Sequence, residues 1–130
     1  MTLLLDTHVL IWALAAPHRL PEAVRARVAD RSETLVVSAA SAFEIATKHR
    51  LGRLPEAAAV VHSYDEQVSR LGAEVIPIEA RHAITAGSLE WPHRDPFDRM
   101  LAAQAMSEGL ELMSADPAFT GLPGLAVVWG

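Results

Sequence analysis

The chain of 130 residues carries 16 Asp and Glu against 11 Lys and Arg, a formal net charge of −5. With 51% hydrophobic and 21% charged residues it has enough apolar material for one substantial core, which excludes a disordered chain. The absence of cysteine excludes a disulfide scaffold, thiolate chemistry, iron–sulfur clusters and Cys-ligated zinc.

The chain opens on a short apolar run, Thr2–Leu5, ended by Asp6. Val9–Ala15 is apolar and reads as helical, and Pro21–Arg31 begins with proline at the first helical position and repeats Val24 and Val28 on one face. Thr34–Val37 is a second strand-length run. Ser38–Leu51 starts with a good N-cap and stops at Gly52. Pro55–Leu71 is expected as one helix ending at Gly72. A third strand follows at Glu74–Ile78, then helices over Glu79–Gly87 and over Pro96–Glu108, the latter stopped by Gly109. Leu110–Met113 and Ala126–Trp129 complete the set of strands. Strands of this length between turn signals, alternating with helices, predict an α/β three-layer sandwich. Its central sheet would be mainly parallel, with four to five strands, in one domain over residues 1–130.

Set aside Asp6, Glu44, Asp95, Asp98 and Asp116, and the remaining charges balance at 11 against 11. These five acids sit in hydrophobic or turn-rich surroundings, where an isolated carboxylate is costly. Net acidity argues against passive binding to nucleic acid. The charge is uneven, however: residues 18–53 hold seven basic residues against four acids, a candidate basic rim. The longest uncharged run, Pro117–Gly130, is too short to span a membrane, and Asp6 interrupts the apolar start, so neither a membrane span nor a signal peptide is expected. A cytoplasmic location fits the lack of cysteine.

Ligands of open α/β sheets bind beyond the carboxyl ends of the strands. Asp6 directly follows the first strand and Asp116 lies just past the fourth. Glu44 stands in the second turn of the helix launched by the second strand, and Asp98 opens the last long helix. Each has a plainer reading. Asp6 can cap the helix after it, Glu44 can pair with Lys48 four residues on, Asp98 can sit on the positive end of a helix dipole, and Asp116-Pro117 can start a turn. Asp95 before Pro96 reads as an N-cap, which makes Asp98 the third helical residue. If the four acids converge, they repel one another and raise each other's pKa unless divalent cations lie between them. All-oxygen ligation suits Mg²⁺ or Mn²⁺, which bind substrate phosphates and activate water at a phosphodiester.

Four segments carry a resemblance. Leu3-Leu4-Leu5-Asp6-Thr7-His8, Ser38-Ala39-Ala40-Ser41-Ala42-Phe43-Glu44-Ile45, Asp95-Pro96-Phe97-Asp98 and Leu112-Met113-Ser114-Ala115-Asp116 together resemble the PIN-domain family, in order and over essentially the whole chain. The short form is similar to the ribonuclease toxins of VapBC-type toxin–antitoxin pairs. The resemblance implies a Mg²⁺- or Mn²⁺-dependent endoribonuclease with one or two ions held by Asp6, Glu44, Asp98 and Asp116. Asp95 is then a cap that also touches the metal or its waters, and Ser114 matches a hydroxyl position near the site. His93, in a His-x-Asp-Pro-Phe-Asp pattern, is read as structural, and His8 stands where many relatives have Asn. A VapB-like antitoxin and a homodimer are also implied. Two other readings stay open: a PIN-like binding module with an inert site, and a phosphatase of the haloacid-dehalogenase type. The latter wants a second acid where this chain has His8.

Overall fold

A computed structural model of the chain describes residues 2–130. Its elements run β1 (Thr2–Leu5), α1 (Thr7–Ala15), α2 (Glu22–Ala29), β2 (Thr34–Ser38), α3 (Ala39–Arg50), α4 (Ala57–His62), α5 (Tyr64–Leu71), β3 (Ala73–Ile76), α6 (Ala80–Ser88), α7 (Pro96–Glu108), β4 (Glu111–Met113) and β5 (Val127–Val128). Short 3₁₀ turns occupy Pro17–Arg19 and Pro117–Gly121.

The five strands form one sheet in the order β3-β2-β1-β4-β5, and every pairing is parallel. β1 is central. Leu3 lies opposite Leu35 on one side and Glu111 on the other, and Leu4 opposite Val36 and Leu112. The chain builds outward from β1 to β3, then crosses back to lay β4 on the opposite edge of β1. That reversal opens a crevice at the carboxyl ends of β1 and β4, where α/β sheets bind ligands.

Alternation along the strands divides the core in two, as a period of two residues requires. Leu3, Leu5, Leu35, Val37 and Met113 face α1, α2, α4 and α5, meeting Leu10, Val24, Val60 and Val68. Leu4, Val36 and Leu112 face the other way, toward Leu101, Ala102 and Ala105 of α7 and toward Phe119. Helices therefore cover both faces, giving the expected sandwich. Burying each leucine contributes about 1.5–3 kcal/mol.

One expected helix is two. Ser63 breaks the stretch 55–71 with φ −134° and ψ 39°, separating α4 from α5. Its hydroxyl donates to the Ala59 carbonyl at 3.1 Å, and the Gln67 amide donates to the same carbonyl at 3.0 Å. Side chains thus take the carbonyl that a continuing helix would have used. The helix also starts at Ala57 rather than at Pro55. Gly72 ends α5 at φ 85°, a left-handed conformation that a Cβ would strain. The last strand is shorter than expected, with only Val127 and Val128 paired.

Candidate active site

Asp6 leaves β1 at the crevice and is only 6% exposed. It makes no capping bond to α1, so the capping interpretation fails for it. Instead the Ser114 hydroxyl, buried at the end of β4, donates to Asp6 Oδ2 at 2.6 Å. Burial raises the Asp6 pKa above its ordinary 3.8. Ser114 and the nearby His8 pull it back, while the charge of Glu44 pushes it further up.

Glu44 reaches the same region from the second turn of α3. Ser38 caps that helix by accepting from the Ala40 amide at 3.0 Å. The Thr7 and Ser41 hydroxyls, 2.9 Å apart, tie the first turns of α1 and α3 together. Glu44 is 3% exposed, and Lys48 Nζ lies 2.6 Å from its Oε2. The i,i+4 pair is therefore real but not a surface decoration. The second oxygen, Oε1, is buried with no hydrogen-bond partner. Such an atom forfeits its hydration without return, at a cost of about 1–3 kcal/mol or more for a charged group.

Asp98 arrives from the first turn of α7. Asp95 caps that helix, its Oδ1 accepting from the amides of Phe97 at 2.9 Å and Asp98 at 3.1 Å, with Pro96 at the first helical position. The side chain of Asp98 faces His93, whose Nε2 lies 2.6 Å from Oδ2. Burial is the main force pushing the Asp98 pKa up to about 6. His93 opposes it, and the charges of Asp95, Asp6 and Glu44 add to it. Asp6, Glu44 and Asp98 thus share one electrostatic field although they come from three separate elements.

Asp116 stands further out. It is exposed, and its Oδ1 accepts from the Ala118 amide at 2.9 Å, so the turn-starting role is present. Its own amide donates to Ser114 Oγ at 3.0 Å, linking it through that hydroxyl to Asp6. The two acids also line one cavity of about 280 Å³ with His8, Val9, Trp12 and Ala115.

Two residues were given no place in the site from the sequence. His93 lies with its ring against an oxygen of Asp98. Arg99 holds His93 in turn. Its guanidinium donates to the carbonyls of Ala86, Leu89, Trp91 and His93 at 2.6–2.9 Å, pinning the loop before α7. The spacing of His93 and Asp98 was a signal for the first; nothing local announces the second.

The three acids share a construction. Asp6, Glu44 and Asp98 each have one oxygen held by a donor, Ser114, Lys48 and His93 respectively. Donors of this kind orient metal ligands and leave the remaining oxygens for a cation. An oxygen-only set, with one buried oxygen lacking any partner, fits Mg²⁺ or Mn²⁺. Among the described residues the tightest group with metal-ligand chemistry lies elsewhere. The ligand atoms of Glu79, His82 and Glu108 lie within 4.8 Å of one another. That group is already satisfied. His82 Nδ1 accepts from the Glu79 amide, Nε2 lies 2.9 Å from Glu108 Oε1, and Arg81 bonds both glutamates. It closes the start of α6 onto the end of α7 and is a full helix length from Asp98.

The family model described as PIN domain matches residues 3–125. Ribonuclease VapC22 of Mycobacterium tuberculosis is 30% identical over 118 residues, covering 88% of this chain and 87% of that protein. Ribonuclease VapC16 of the same organism is 39% identical over 79 residues, 55% of each. Among solved structures, VapBC2 from Rickettsia felis bound to a promoter DNA fragment superposes with a TM-score of 0.75 at 19% identity, covering 100% of both chains. DNA-bound VapBC from Salmonella typhimurium gives 0.72 at 23% identity, with 98% and 97% covered. At such identities the structures speak for the fold, while the family model and the first relative speak for descent. The chain belongs to the PIN domain family.

Proposed function

We propose that this chain is a metal-dependent endoribonuclease that cleaves RNA phosphodiester bonds and serves as the toxin of a VapBC-type pair. What carries this reading is the arrangement of Asp6, Glu44 and Asp98. Each carboxylate is clamped through one oxygen, and Glu44 Oε1 is buried without a partner. Asp6 and Asp98 would hold the principal Mg²⁺ or Mn²⁺, with Glu44 and Asp116 completing the set and supporting a second ion. When bound, such a cation activates water and offsets charge developing on the phosphate oxygens.

The rest is done by the chain. Ser114 fixes the orientation of Asp6, Lys48 that of Glu44 and His93 that of Asp98, so little reorganisation is needed when charge moves. Asp95 holds the first turn of α7 and adds negative charge beside Asp98. The names of the similar ribonucleases and VapBC complexes support RNA as substrate and a VapB-like antitoxin as partner. A homodimer, action in the cytoplasm and a single domain over 1–130 belong to the same proposal.

The test is direct. Purified protein should cleave structured RNA only with Mg²⁺ or Mn²⁺, and Asp6→Asn should abolish cleavage. Equal cleavage by the two preparations would trace the activity to a contaminant and end this reading.

A further inference from the structure

The cavity beside Asp6 has a wall that the acid chemistry does not use. His8 and Trp12 stand one turn apart on the same side of α1, their ring centroids 6.0 Å apart and tilted by 50°. His8 is exposed and Trp12 half-buried, and both line the cavity that holds Asp6 and Asp116. Arg19 lies against the Trp12 ring, its Cζ 5.1 Å from the centroid, and its side chain is largely exposed. Flat apolar surface and two acids of the cleavage centre therefore meet in one concavity, with Arg19 beside its Trp12 wall and 4.0 Å from Glu56.

We propose that this cavity is a nucleobase subsite, taking the base of the single-stranded nucleotide next to the scissile phosphate. The inference rests on the ribonuclease reading, because only a phosphodiester held at Asp6 brings its neighbouring base to this wall. Unpaired bases are recognised by stacking on aromatic side chains, which tolerates sequence and adds affinity where an acidic centre repels the backbone. Trp12 supplies the stacking surface and His8 an edge with hydrogen-bonding nitrogens. Arg19 supplies positive charge that the acids lack.

The experiment uses fluorescence anisotropy with labelled single-stranded RNA in Mg²⁺, on an Asp98→Asn background so that the RNA persists. Trp12→Ala should weaken binding about tenfold, the range of one lost base stack. Trp12→Phe should restore most of it, and His8→Ala, at an exposed position, should lose a few-fold. Oligonucleotides with one abasic residue at successive positions should include one that binds the parent as weakly as Trp12→Ala binds intact RNA, with no further loss when the two are combined. Unchanged affinity in Trp12→Ala and His8→Ala overturns the subsite, as does Trp12→Phe binding as poorly as Trp12→Ala. Cleavage by the wild-type chain is read in parallel. Cleavage with Trp12-independent binding sinks the subsite alone, and Trp12-dependent binding without cleavage sinks the nuclease reading alone. No RNA binding by the parent together with no cleavage by the wild-type chain sinks both.

Discussion

His93 Nε2 sits 2.6 Å from Asp98 Oδ2, so the loop before α7 folds back onto the acid that α7 presents. Partners of this kind typically govern metal affinity or activity by about 10–100-fold when removed. His93→Ala should therefore lower metal-dependent cleavage within that range while leaving the melting temperature nearly unchanged. Titration of Mn²⁺ by calorimetry reads the affinity directly. A variant with wild-type affinity and rate would return His93 to a structural role.

The two aspartates of the same turn should separate cleanly. Asp98→Asn is expected to remove activity. Asp95→Asn keeps a capping side chain, so Asp95→Ala is the sharper probe of the cap, and it should cost about 1 kcal/mol in urea unfolding. Loss of activity from the Asp95 variants with an intact Asp98→Asn enzyme would reverse the assignment.

Metal-free protein should lose stability as pH rises. Asp98 titrates near 6 in the folded chain against an ordinary 3.8, and Asp6 is also raised. The folded state then binds more protons than the unfolded state across this interval, and stability falls as pH increases through it. The stabilisation is complete below about pH 4 and is lost by about pH 7, on the order of 1–3 kcal/mol for Asp98. Mg²⁺ or Mn²⁺ should reverse the trend by binding the ionised acids, raising the melting temperature at neutral pH far more than at acidic pH. Melting curves in chelator and in metal across this range check both signs. A flat profile in chelator would contradict the raised values.

Arg99→Met should release four backbone carbonyls at once. A net loss of about 2 kcal/mol or more is expected, since bonds from a charged donor are among the stronger ones. Hydrogen exchange should speed up over residues 86–94 first. Arg99→Lys, lacking the planar fork, should recover only part of the loss.

Gly72→Ala should destabilise by about 1 kcal/mol through its backbone alone. Its φ is 85°, and an added Cβ would also stand 2.9 Å from the flexible end of Arg31. Gly87, in open surroundings within α6, should accept alanine without loss or with a gain. Chemical denaturation of the two variants decides between these opposite signs.

What could be read from the sequence was what neighbouring residues decide. Asp95-Pro96 and Gly109 bracket α7 to the residue, because caps act within one turn. The alternation of Leu3, Leu4 and Leu5 between two helical layers follows from strand geometry. Asp6 and Ser114, 108 positions apart, could be placed near one another only through the parallel-sheet argument and the resemblance. Their hydrogen bond could not. Ser63 hid inside an apparently continuous helix because its hydroxyl competes with the backbone only in that context. Arg99 was invisible for a similar reason: its partners are carbonyls, which every residue carries and no pattern marks.

The central position of β1 has a consequence for control. Asp6 donates its amide to the Met113 carbonyl at 3.0 Å and continues a strand hydrogen-bonded on both sides. Segments so placed open only when the whole domain does. This carboxylate cannot be silenced by fraying a terminus or melting a loop, because its backbone is as durable as the molecule itself. The Asp6 side of the crevice therefore stays formed for as long as the sheet itself is folded.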